Sequence, residues 1–302
     1  MSKILSRLLR REQRAFLARD RAGWEAHLAR VRTFLGEGLQ AADPARPVLV
    51  LGAGSGLEVP WALAPPLTEG WDADPWSRVR TWRRHLRWAP WTFEDATGGL
   101  AELEATVRRA LGEPWSGRHR DPRVAALRLA GLLPSLQPHP EALAAWIEAH
   151  RPGTILAANL MGQFGVVAEA LVEACFAPAS PWEADPERPD PLAEALEAWT
   201  ARAVAGFLEV LAGSGADLWL VHDRAVVFSE GRLDLGPWAD DWTRQLQPAA
   251  PPLEARDPLA GVDVLALLTG SGRTVAARER WLWDLAPGQR HLVEAIRARP
   301  QA

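Results

Sequence analysis

Gly52, Gly54 and Gly56 follow directly on the apolar run Pro47-Val48-Leu49-Val50-Leu51. A strand ending in glycines lets backbone approach a ligand closely, and a helix opening after the turn offers N–H groups to a carboxylate or phosphate. Twenty residues after Gly52 stands Asp72, at the end of a second strand candidate, placed to accept both hydroxyls of a ribose. Asp95 ends a third strand candidate, where a carboxylate can accept a bond from an exocyclic amine. One glycine turn and two strand-end acids describe a pocket for an adenine nucleoside. A dinucleotide fingerprint would carry its third glycine where this chain has Leu57, which speaks against the alternative of a nicotinamide dehydrogenase.

Two more residues have side chains suited to act on a substrate. Asn159, the single asparagine, ends the strand candidate Thr154–Asn159. Its amide can donate to an acceptor oxygen or accept from an amine, with a backbone-bonded strand cap as the plainer role. His222-Asp223 closes the strand candidate that begins at Asp217, and His222 there could serve as general base for an oxygen or nitrogen nucleophile. His119, His139 and His150 lack ligand spacing, so no metal site is expected. Neither a G-x-S-x-G elbow nor a phosphate-binding G-x-x-x-x-G-K-[ST] loop occurs, which removes the usual hydrolase and nucleotide-hydrolase readings.

The elements that must position these groups can be read from apolar periodicity. Leu5, Leu8, Leu9, Phe16, Leu17, Trp24, Leu28, Val31 and Leu35 recur at helical steps, so residues 1–41 read as helix up to the prolines at 44 and 47. The buried-strand run 48–51, the glycine turn and an apolar-periodic stretch from Leu57 read as strand, turn and helix. Strands then end at Trp71-Asp72 and Glu94-Asp95, with helices beginning near Pro75 and near Gly99. Residues 112–140 read as an insertion, followed by helix 141–150, strand 154–159, helix 166–175, a proline-rich loop 177–191, helix 192–211 and strand 217–222. The tail alternates strand-like pieces, at 225–229 and 281–283, with loops. The expected fold is therefore α/β, a three-layer sandwich on a mainly parallel sheet: an N-terminal helical segment, 1–44, then one domain, 45–302, with insertions near 112–140 and 177–191. Tryptophans at 71, 76, 82, 88 and 91 cluster near the nucleoside edge, where packing is their expected role.

Val48-Leu49-Val50-Leu51-Gly52-Ala53-Gly54-Ser55-Gly56, Asp72-Ala73-Asp74-Pro75 and Phe93-Glu94-Asp95-Ala96-Thr97 together resemble the class I S-adenosylmethionine-dependent methyltransferases over roughly residues 45–165. The resemblance implies a seven-stranded Rossmann-like sheet whose last strand is antiparallel, and S-adenosylmethionine as cofactor. It implies the glycine loop beside the methionine moiety, Asp72 on the ribose and Asp95 on the adenine amine. The family's acid two residues before the first glycine is replaced by Val50, and Glu58 is the candidate to hold the cofactor ammonium instead. Asn159 opens no Asn-Pro-Pro-aromatic motif, so no amino-acceptor specificity follows from it. The function this implies is methyl transfer to a small-molecule acceptor, with a catalytically silent cofactor binder as the alternative that Val50 supports.

Composition sets outer bounds. With 302 residues, 48% apolar and 24% charged, the chain can bury a sizeable core. A net charge of −4 gives no general attraction to nucleic acid, although the arginine-rich segments leave an anionic acceptor open. No apolar run reaches the roughly 18 residues that a membrane-spanning helix needs, and the N-terminus does not read as a signal peptide. One cysteine, Cys175, excludes an internal disulfide and fits a reducing cytoplasm. One lysine and no tyrosine against abundant arginine point to a GC-rich, bacterial genome.

Overall fold

The computed structural model describes residues 21–54, 56–86, 89–112, 121–183, 188–228, 254–286 and 288–301. The expected helix over residues 1–20, and parts of the two expected insertions (113–120 and 184–187), lie outside them. In chain order the elements are α1 (Arg21–Ala41), β1 (Val48–Leu51), β2 (Thr68–Trp71), α2 (Trp76–His85), β3 (Trp91–Thr92), α3 (Leu100–Leu111), α4 (Pro122–Leu132) and α5 (Glu141–His150). Then follow β4 (Thr154–Ala158), α6 (Gln163–Phe176), α7 (Pro191–Gly213), β5 (Asp217–Phe228), β6 (Glu254–Arg256), α8 (Val264–Gly270), β7 (Arg273–Ala286) and β8 (Gln289–Pro300).

The strands form one sheet in the order β3-β2-β1-β4-β5-β8-β7. The pairings from β3 through β5 are parallel; β8 runs antiparallel to both β5 and β7. This is the expected α/β sheet with the last strand antiparallel, with one addition: short β6 pairs with the end of β5, on the side where β4 has already stopped.

Side chains alternate across a strand, so each central strand feeds two cores. Leu49, Leu51, Ile155, Ala157, Leu218 and Leu220 face α3 to α8, while Val48, Val50, Leu156, Ala158, Trp219 and Val221 face α1 and the inner side of the β7–β8 hairpin. Helix starts are set by local chemistry. Asp121 and Asp190 cap α4 and α7 ahead of Pro122 and Pro191, and Asp263 caps α8. Among the described residues no helix is long and apolar enough to cross a membrane.

Three sequence expectations change. The helix expected from Leu57 does not form. Pro60, Pro65 and Pro66 leave room for only a single 3-10 turn, Trp61–Leu63, before β2, so no helix N-terminus faces a ligand from the glycine turn. Helix α1 covers that face of the sheet instead; a side chain at Gly38 would meet Leu156 and Trp219 at 2.9 Å. Residues 112–140 contain α4, whose Ala125, Ala126 and Leu129 belong to the core. Finally, β5 does not end at His222-Asp223 but runs on to Phe228, held by β8 on one edge and β6 on the other.

Candidate functional site

Strand order reverses between β1 and β4, and ligands of open parallel sheets settle outside the strand ends at such a point. A cleft of about 700 Å³ lies there. Its floor is built from the residues that follow β1, β2, β3 and β4, and its far wall from β5, the segment after β6, and the β7–β8 hairpin.

All three glycines of the turn have positive φ: 64° at Gly52, 49° at Gly54 and 67° at Gly56. A β-carbon on Gly52 would stand 2.9 Å from that of Leu160, so this position is closed on steric as well as conformational grounds. Gly52 and Gly54 line the cleft. Gly56 does not; it is buried against α2, where His85 Nε2 lies 2.7 Å from its carbonyl oxygen.

Asp72 lies in the cleft wall and spans two chain reversals. Its Oδ2 accepts from Gly54 N–H and its Oδ1 from Asp74 N–H, both at 2.7 Å. Burial pushes its carboxyl above the usual aspartate range, against those backbone bonds, which favour the ionised form. Glu58 lines the same region, its Oε1 3.9 Å from His27 Nε2. Trp281 Nε1 donates to His27 Nδ1 at 3.2 Å, so the neutral His27 ring carries its proton on Nε2, the atom nearest Glu58.

Asp95 also borders the cleft, but its oxygens are engaged elsewhere. Oδ1 accepts from Thr97 N–H, and Oδ2 accepts from the N–H groups of Gly99 and Leu100 at the start of α3. It is a helix cap, and the neighbouring Glu94 is exposed in the same wall.

Asn159 leaves β4 in the left-handed region at φ 47°, which asparagine tolerates better than other side chains. It is buried in the cleft wall, and its Oδ1 has no hydrogen-bond partner among the described residues. His222 is not brought to the cleft. Alternation along β5 sends it to the opposite face from Asp223, where its Nε2 lies 3.5 Å from Glu294 Oε2.

Asp223 takes the cleft side. Its Oδ2 lies 2.8 Å from Nδ1 of His291, and both residues, with Gln289, line the cavity. Sequence reasoning missed His291 because a separation of 68 positions is bridged only by the β5–β8 register. Strand alternation was the available signal: of two consecutive residues, His222 and Asp223, one alone can face the cleft.

The chain matches no family model and no curated protein sequence. Among solved structures it is similar to a SAM-dependent methyltransferase from Anabaena variabilis, at 9% identity and a TM-score of 0.41, over 86% of this chain and 79% of that one. It is also similar to the N-methyltransferase NodS from Bradyrhizobium japonicum, solved with S-adenosyl-L-homocysteine, at 13% identity and a TM-score of 0.40, over 96% of this chain and 98% of that one.

Proposed function

We propose that this chain transfers a methyl group from S-adenosylmethionine to a small-molecule acceptor. The observation that carries the reading is the junction of Asp72 with the Gly52–Gly54 turn inside a cleft at the switch point of the sheet. A half-buried carboxylate whose oxygens already take one backbone N–H each retains lone pairs for two vicinal hydroxyls. The glycine turn beside it offers backbone without side chains, and about 700 Å³ suits a nucleoside with an amino-acid tail plus a small acceptor.

In this reading Asp72 holds the ribose, and backbone at Gly52 and Gly54 lies along the methionine moiety, with Gly56 anchoring the turn from behind. Glu58, near His27, takes the ammonium in place of the family's acid, where this chain has Val50; Val50 itself is buried in the α1-side core. With Asp95 engaged as a cap, the adenine amine falls to Glu94 beside it, and Asp95 shapes that corner. When bound, the cofactor supplies an electrophilic methyl on a sulfonium with a good leaving group. The protein's share is alignment, which fixed strand ends provide. Asn159, at the end of β4, holds the acceptor.

Calorimetric titration with S-adenosylmethionine, S-adenosylhomocysteine and NAD tests the reading. Both sulfur compounds should bind well below millimolar and NAD should not. Failure of S-adenosylhomocysteine to bind tighter than millimolar overturns it.

A further inference from the structure

Resting on the methyl-transfer reading, we propose that the acceptor is an amine, seated between Asn159 and Asp223, and that His291 takes its proton.

Three hydrogen-bond acceptors converge on one end of the cleft. Asn159 Oδ1 and Asp223 Oδ1 are both buried, on residues 6% and 2% exposed, and neither has a hydrogen-bond partner among the described residues. The two side chains flank the same glycine: a β-carbon on Gly162 would lie 3.3 Å from Asn159 Oδ1 and 3.6 Å from Asp223 Cβ. Buried acceptors left unpaired are costly, so a pair of them on residues that line a cavity calls for a ligand rich in N–H donors.

His291 supplies the third acceptor. Its Nδ1, 2.8 Å from Asp223 Oδ2, donates to that carboxylate, which leaves the lone pair of the neutral ring on Nε2. That atom lies 3.1 Å from Gln289 Nε2, an amide N–H that a stronger donor can displace. Trp283 packs tilted on the His291 ring, at 5.0 Å between centroids, and lines the cleft with Leu285 as an apolar wall. Arg256, the one arginine that lines this cleft among the described residues, is already paired with Glu169, so the end is anionic and apolar. An alcohol brings one donor and a carboxylate none; an ammonium with an apolar body satisfies all of these groups.

The step then balances. His291 Nε2 takes one proton from the bound ammonium, and the freed nitrogen lone pair forms the new N–C bond to the methyl. The C–S bond breaks with its electron pair left on sulfur, so the sulfonium becomes a neutral thioether and its charge ends on the methylated nitrogen, while the proton lost by the ammonium leaves its charge on the imidazolium. Asp223 stabilises that imidazolium through Nδ1.

The test uses protein saturated with S-adenosylhomocysteine, whose own titration reports separately on the methyl-transfer reading. Phenethylamine, phenethyl alcohol and phenylacetate, matched in body and differing in head group, are titrated into that complex. The amine should bind at least about tenfold tighter than the alcohol, and phenylacetate should not bind. Equal or preferred binding of the alcohol or the acid, or no binding of the amine, overturns the proposal. Asp223→Asn and Gly162→Ala should each weaken amine binding about tenfold while S-adenosylhomocysteine affinity stays within about twofold, which also shows that the variants fold; unchanged amine affinity in both counts against the seat. With methyl-labelled S-adenosylmethionine and saturating amine, label should pass to the amine, and about a hundredfold more slowly in His291→Gln. Amine binding without transfer in the parent chain, or full transfer in His291→Gln, removes His291 from the chemistry.

Discussion

Asp72 Oδ2 accepts a hydrogen bond from the backbone N–H of Gly54 at 2.7 Å, so the end of β2 is fastened to the turn that ends β1. The carboxylate sets the shape of the glycine turn while keeping acceptor capacity toward the cleft. Loss of this group should therefore act on binding twice, through the ribose contacts and through the loosened turn.

Asp72→Ala should weaken S-adenosylhomocysteine binding by about 1.5–3 kcal/mol, the scale of hydrogen bonds to a charged group. Calorimetry on the variant checks this, with the unfolding midpoint measured alongside. Unchanged affinity would remove Asp72 from the site.

The same residue predicts a pH dependence. Burial raises its carboxyl above the ordinary value of 3.8, so protonation begins at a higher pH than for an exposed aspartate. The ionised form accepts both hydroxyls, so affinity should be full above the raised value and fall as pH drops through it. Asp72→Asn should lose that inflection and bind weakly at every pH. An inflection that persists in Asp72→Asn assigns the titration elsewhere.

Gly52→Ala combines two penalties, a left-handed φ of 64° and a β-carbon 2.9 Å from that of Leu160. The conformational part alone is about 1–2 kcal/mol. Stability in urea should fall by at least that much, and S-adenosylhomocysteine affinity should fall with it because the turn must shift. A variant with parental stability and affinity would show that the turn does not have this conformation.

Arg273 is a structural counterpart away from the cleft. Buried at 3% exposure, it donates to the carbonyl oxygens of Leu211 and Ala212 in the last turn of α7 and of Ser214 and Ala216 just beyond it. Arg273→Ala should cost about 3–5 kcal/mol, as removal of one partner from a buried charged network does. Urea unfolding reads this, with S-adenosylhomocysteine affinity at low denaturant unchanged within about twofold.

Glu294 predicts how stability responds to acid. Burial pushes its carboxyl up, but the nearby His222 and the hydrogen bond from Arg280 outweigh that and hold it below the ordinary 4.5. A depressed folded value stabilises the fold above the unfolded value and is lost as pH falls through the folded one. Glu294→Gln should therefore cost about 2–4 kcal/mol near neutral pH. The gap to the parent chain should stay level down to 4.5 and narrow below it. A gap that narrows well above that value places the titration on another group.

How much of this was legible in the sequence differs from residue to residue. The runs at 48–51 and 154–158 read as strands because they are buried on both faces, and continuous apolarity records that directly. The prolines at 60, 65 and 66 were legible too, as a veto on the helix expected from Leu57, and local sterics outweighed apolar spacing there. The capping role of Asp95 follows from the N–H groups of Gly99 and Leu100 four and five residues on, a short-range geometry that strand-end position alone does not reveal.

Sequence by itself determined the α/β alternation and the glycine turn, because each depends on steric and periodic rules acting over a few neighbouring residues. Tertiary structure alone decided that β5 extends to Phe228, that Asp223 faces the cleft while His222 turns away, and that His291 meets Asp223. Those outcomes depend on strand register and on the irregularity between Asp223 and Ala225 in the β5–β8 pairing. Register is fixed by burial summed over a whole sheet face, which no local window of residues contains.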